Sequence, residues 1–98
     1  MIAEHDIQSQ ILEYLQLRHV LVFRNNTGRR GYVRFGLDVG SSDIIGVLPG
    51  GRFLAIEVKK PKGGVVSEFQ TRFLESVNAH GGLGFVARSL ADVEERIK

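Results

Sequence analysis

Three residues of this chain have types and a spacing that suit metal-assisted chemistry: Asp43, Glu57 and Lys59. Glu57 and Lys59 lie in the run Arg52–Lys60 (RFLAIEVKK), whose β-branched and aromatic content reads as a strand. A strand alternates faces at every residue, so Leu54, Ile56 and Val58 point one way and Phe53, Ala55, Glu57 and Lys59 the other. The first set is plain core. The second sets a carboxylate and an ammonium side by side in an apolar strand, where an unpaired buried charge is costly. Pro49-Gly50-Gly51 closes a hairpin that folds Asp43–Leu48 back along this strand and brings Asp43 near Glu57. Two carboxylates that close repel each other, and one takes up a proton unless a cation lies between them. Mg²⁺, with Mn²⁺ as a substitute, meets that need. It takes oxygen ligands in octahedral geometry and keeps several waters, so Asp43, Glu57 and the carbonyl of Val58 are a sufficient protein contribution. Lys59 then sits where it can touch a metal-bound water or a phosphate oxygen and offset developing negative charge. The competing reading is a structural Glu57–Lys59 ion pair along the strand.

The elements that must position these groups follow from periodicity. Ala3–Leu17 reads as a helix, with Ile7, Ile11 and Leu15 recurring at four. His19–Arg24 reads as a strand, Asn25-Asn26-Thr27-Gly28 as a turn followed by Arg29-Arg30-Gly31, and Tyr32–Phe35 as a short strand or ordered loop. A loop over Leu37–Ser42 precedes the Asp43–Leu48 strand. After a loop at Pro61–Val66, Ser67 starts a helix to about His80; its Ser67-x-x-Gln70 spacing is a capping box, and Gly81-Gly82 ends it. Leu83–Ala87 is a last strand, and Ser89-x-x-Asp92 opens a short helix through Ile97. The order α-β-β-β-β-α-β-α predicts an α/β fold, a mixed sheet flanked by helices. A crossover with parallel strands falls within residues 43–87, and such crossovers are right-handed.

Composition bounds the function classes. At 98 residues, with 43% hydrophobic content, the chain suits one domain with one modest core, too small for a large internal cavity. The absence of Cys excludes disulfides and thiolate metal sites, and His5, His19 and His80 have no zinc spacing. The acidic N-terminus and the lack of a long apolar run predict a soluble, cytoplasmic protein. Charge is uneven: residues 18–62 hold nine cations against three carboxylates, while the ends are acidic. A basic middle of this kind suits a polyanion. Arg29 and Arg30, set among glycines with Asn25, Asn26 and Thr27 as donors, suit phosphate contacts, with Arg24 beside them. Lys60, Lys62 and Gly63-Gly64 form a second basic, flexible patch.

These residues resemble a known family. Asp43 followed after thirteen residues by Glu57-x-Lys59 is similar to the PD-(D/E)XK nuclease signature. More narrowly, the chain resembles the VRR-Nuc branch, through Glu4 in an N-terminal helix with Gln8 and Ile11, Arg24-Asn25-Asn26-Thr27-Gly28, Gly40-x-x-Asp43, Ile56-Glu57-Val58-Lys59, Ser67-x-x-Gln70 and Gly81-Gly82. One departure is Ser42, where the family usually has Pro. The resemblance implies a restriction-endonuclease-like core and a single nuclease domain over residues 1–98. It implies metal binding by Asp43 and Glu57 and assistance to the water by Lys59. Gln70 would contact the water, the metal shell or the phosphate, and Glu4 would approach the site from the first helix, as in archaeal Holliday-junction resolvases. The expected activity is Mg²⁺-dependent endonucleolytic hydrolysis of DNA, structure-selective for branched forms such as four-way junctions, by a homodimer. Val20–Phe23, Tyr32–Phe35 and the C-terminal helix are candidate dimer surfaces. A non-catalytic nucleic-acid-binding module of the same fold is the alternative.

Overall fold

The first helix, α1 (Glu4–Leu17), forms where apolar residues recur at four, and it buries Ile7, Ile11 and Leu15. Its acidic first turn, Glu4 and Asp6, complements the helix dipole. The helix ends in a left-handed residue, His19 (φ 61°), and the Val20 N–H reaches back to the Leu15 carbonyl at 2.9 Å. His19 therefore belongs to the helix terminus, which is why the first strand, β1 (Leu21–Arg24), starts two residues later than its β-branched content predicts. These observations come from a computed structural model that describes residues 3–25, 28–30, 33–35 and 40–98.

After β1, the segment read as a turn contains a further strand, β2 (Gly28–Arg30), paired antiparallel with β3 (Val33–Phe35) as a separate two-stranded ribbon. Val33–Phe35, within the segment read as a short strand or ordered loop, is therefore a strand outside the main sheet. That sheet has the order β1-β4-β5-β6, with β4 (Ile44–Val47), β5 (Phe53–Val58) and β6 (Leu83–Ala87). β1, β4 and β5 are antiparallel neighbours, and β5 and β6 are parallel, joined through α2 (Glu68–Ala79). The result is a mixed sheet flanked by helices, as the sequence pattern predicts.

The β4–β5 hairpin turns through Gly50 and Gly51, both at positive φ (98° and 96°), a conformation that glycine adopts without strain. Its register pairs Ile44 with Ile56 and Ile45 with Ala55. On one face, Ile44, Leu54, Ile56, Val58, Leu83, Phe85 and Ala87 pack against Ile7, Ile11 and Leu15 of α1 and Val93 of α3 (Leu90–Arg96). On the other face, Ala55 meets Leu74 and Val77 of α2. Gly82 permits the close return of the chain after α2, since a Cβ there would meet Val77 Cγ1 at 2.7 Å and the Phe53 carbonyl oxygen at 2.9 Å. Among the described residues, no helix is long and apolar enough to cross a membrane.

Candidate active site

Continuing the β4–β5 register one step past its last pair sets Asp43 opposite Glu57, on the sheet face that carries α2. β4 has ended there, so among the described residues no strand lies beside Val58 on that edge of β5, while β6 pairs with the other. The Asp43 carboxylate takes that place: its Oδ2 accepts the Val58 N–H at 2.9 Å. Lys59 N–H donates the other way, to the Ala87 carbonyl of β6 at 3.0 Å. Alternation along the strand therefore aims the Val58 carbonyl at the Asp43 side as well.

Glu57 is only 2% exposed, yet it is ionisable and central. Its Oε2 accepts Gln70 Nε2 at 2.9 Å and lies 3.5 Å from Lys59 Nζ. Its Oε1 is buried and has no hydrogen-bond partner among the described residues. Burial first, and then the nearby Asp43 carboxyl with its negative charge, push the Glu57 carboxyl up to about 8, against the pull of the Lys59 ammonium. At neutral pH the metal-free site thus holds a proton on Glu57, available to the neighbouring Asp43 carboxylate. A divalent cation would relieve the same repulsion and engage the orphaned oxygen, so the donor set fits a hard, oxygen-seeking metal.

Gln70 serves two purposes with one amide. Ser67 caps α2 by accepting the Gln70 N–H at 3.1 Å, and Gln70 Oε1 accepts the Ser67 N–H at 2.8 Å, completing the capping box. The amide's other end is left for Glu57. The helix cap thereby fixes the rotamer of a side chain that holds the site. Lys59 is confined too: a Cβ on Gly64 would come within 3.0 Å of Lys59 Cβ, so the following loop lies directly on its aliphatic stem.

The structure thus brings together Asp43, Glu57, Val58, Lys59 and Gln70. Among the described residues, no hydrogen bond or ion pair joins Glu4 to them. Glu4 is half-buried on α1, a helix that packs on the opposite face of the sheet. Among the described residues no cluster of three or more His, Cys, Asp and Glu groups could hold a metal. Of the cationic candidates, Lys60 and Lys62 are exposed beside the site. Arg24 is engaged with α1, donating to Gln8 Oε1 at 2.7 Å and Ser9 Oγ at 3.3 Å. The backbone of Arg29 and Arg30 forms β2, but their side chains lie outside the described residues, as do Asn26, Thr27 and Tyr32. Sequence reasoning missed the role of Asn25, whose amide turns inward to Ser41 Oγ and the Ser42 carbonyl, both at 2.9 Å. It also missed Arg88, which donates to the Lys60 and Gly64 carbonyls at 3.0 and 2.8 Å and so ties down the loop that carries the basic patch.

The family model for the VRR-NUC domain matches residues 3–91. The chain belongs to the VRR-NUC domain family. That span contains the whole cluster described above, and the VRR-NUC domain is of nuclease type, a hydrolase of phosphodiester bonds. No curated protein matches the chain significantly.

Proposed function

We propose that the protein is a metal-dependent DNA endonuclease that uses Mg²⁺, with Mn²⁺ as a substitute, and acts on branched DNA as a homodimer. The carrying observation is the Asp43–Glu57 pair at the open end of the β4–β5 hairpin, with a buried Glu57 oxygen left without a partner. Asp43, Glu57 and the Val58 carbonyl would hold the ion. When bound, it would supply Lewis acidity toward the phosphate and a water of lowered pKa. Lys59, 3.5 Å from Glu57 Oε2, carries the positive charge that offsets the charge developing on the phosphate. Gln70 holds Glu57 by Oε2 and so keeps Oε1 toward the site. Lys60 and Lys62, with Arg29 and Arg30 of the ribbon, supply phosphate contacts that need no base recognition.

The dimer reading is supported by a bare apolar sheet face. Leu21 and Phe23 of β1 are 57% and 53% exposed, and Val47 and Phe53 continue the patch across β4 and β5. Val20 and Val22 turn into the core instead, and Val93 and Ile97 of the C-terminal helix are likewise spent internally. An apolar patch ending in an edge strand suits a second copy of the chain, because a two-fold contact sets a patch against itself. Resolving a four-way junction needs two symmetric cuts, which such a pair supplies.

Incubating the chain with Mg²⁺ or Mn²⁺ and a panel of linear, flapped and four-way DNA tests the activity. Four-way DNA is expected to be cut in preference, Asp43→Asn and Glu57→Gln to abolish cleavage in a folded protein, and Lys59→Ala to lose most cleavage while still binding Mn²⁺. Wild-type cleavage by either carboxylate variant overturns the site. Sedimentation is expected at about twice the 10.9 kDa chain mass, and Phe23→Asp is expected to halve it. A monomeric wild type overturns the dimer.

A further inference from the structure

Asn25 touches neither carboxylate, yet three of its hydrogen bonds end on the segment that presents Asp43. Its N–H donates to the Asp43 carbonyl at 2.7 Å, and its Nδ2 donates to Ser41 Oγ and to the Ser42 carbonyl, each at 2.9 Å. This segment needs outside support, because residues 41–43 precede β4 and have no strand ladder of their own. Its upstream end is set by Gly40, whose φ of +90° and approach to the Phe69 backbone leave no room for a Cβ (2.8 Å from the Phe69 carbonyl carbon). Its downstream end is Asp43, whose carboxylate is fixed by the Val58 N–H. Between these points, Asn25 is what holds the backbone from the β1 side among the described residues.

Both amide hydrogens of Asn25 have acceptors in this arrangement, so the side chain has no donor left for a phosphate. Asn25 is also neutral, so it adds no attraction or repulsion to the two carboxylates. What remains is geometry. We propose that Asn25 is a positioning residue: it fixes the Ser41–Asp43 backbone so that the Asp43 carboxylate stands opposite Glu57, and thereby sets the affinity of the pair for a divalent cation. This inference rests on the metal-nuclease reading above. It differs in assigning Asn25 to the metal site and not to the DNA surface, where its place in the loop before the Arg29-Arg30 ribbon would put it.

The test is Mn²⁺ binding to the DNA-free chain by calorimetry, beside DNA affinity measured in EDTA. Partners that orient metal ligands cost roughly 10- to 100-fold in metal affinity when removed. Asn25→Ala is expected to weaken Mn²⁺ binding about tenfold, at the lower end of that range. DNA affinity in EDTA is expected to stay at the wild-type value, and excess Mn²⁺ to restore kcat without a change in KM for DNA. Ser41→Ala, which removes one acceptor and leaves the backbone intact, is expected to weaken Mn²⁺ binding by a smaller factor, and it decides the matter if Asn25→Ala does not fold. Unchanged Mn²⁺ affinity in these variants overturns the inference, and a loss of DNA affinity alone reassigns Asn25 to DNA contact. If the wild-type chain itself binds no Mn²⁺, the metal-nuclease reading fails, and this inference fails with it.

Discussion

On the α1/α3 face of the sheet, Ile44, Leu54, Ile56 and Val58 meet Ile7, Ile11, Leu15 and Val93 with no ionisable side chain among them. On the α2 face, the same strands carry Glu57 and Lys59 at one end, a small apolar cluster around Ala55 beneath α2, and exposed Leu21, Phe23 and Phe53 beyond it. β5 belongs to both faces, so alternate residues of one six-residue strand answer to different demands. Stability is concentrated on the first face. The second is left free to hold the Asp43–Glu57 pair, whose mutual repulsion keeps a proton on Glu57, and an exposed apolar patch, because the larger core lies on the first.

The largest effect that would break this comparison is a truncation on the sealed face. Ile11→Ala is expected to cost about 2–5 kcal/mol in urea unfolding, as buried large-to-small changes do. Leu21→Ala on the bare face is expected to cost under about 1 kcal/mol in the same experiment on the monomer. Equal losses would mean that the two faces share the load.

A second measurement sharpens the electrostatic half. Glu57 has its carboxyl raised from 4.5 to about 8 in the folded, metal-free chain. The folded state therefore binds a proton that the unfolded state releases, and stability from this group is fully present below pH 4.5 and lost as pH rises through 8. Wild-type stability in EDTA is expected to fall across that window, and Glu57→Gln to flatten the fall. Mn²⁺ binding at pH 7 is expected to release a proton, seen as a dependence of calorimetric enthalpy on buffer. A wild-type profile as flat as that of the variant would show that Glu57 is ionised throughout.

The smallest expected effect concerns the helix that connects the faces. Ser67→Ala removes the acceptor for the Gln70 N–H and is expected to cost about 1 kcal/mol, the usual value for an N-cap. It is also expected to lower cleavage, less than Gln70→Ala does, because the backbone N–H of residue 67 still donates to Gln70 Oε1 but from a first turn that frays more often. A stability loss with unchanged cleavage would separate the cap from the site.

Much of this was legible in the sequence for a physical reason. Asp43, Glu57 and Lys59 could be placed because strand alternation and a Pro-Gly-Gly turn fix cross-strand neighbours with little freedom. Ser67 and Gln70 could be placed because a capping box is a local pattern. β3 falls within Tyr32–Phe35, read as a short strand or ordered loop, but its partner β2 was not legible, since Gly28–Arg30 has glycine and two charges where a strand signal needs β-branched residues. Asn25 and Arg88 were hidden because their partners lie on segments 16 and 28 residues away, for Ser41 and Lys60 respectively, and no periodicity reports such pairings. Gln70 carries both of its expected roles, cap and site, because one amide has two ends and the structure uses both.

That shared amide sets a time relation between folding and chemistry. The amide that closes the capping box through Oε1 also holds Glu57 through Nε2, so a fraying of the first turn would loosen the grip on Glu57 and its re-formation would restore it. Helix ends open and close on a scale of about 0.1–1 μs. Enzymes turn over at roughly 1–10³ per second. Between one cut and the next, the first turn would open and close thousands of times, so the reacting DNA would experience a weighted average of held and released Glu57. Strengthening or weakening the cap would then tune the rate smoothly, as a dial tunes a signal, and would not switch it on or off.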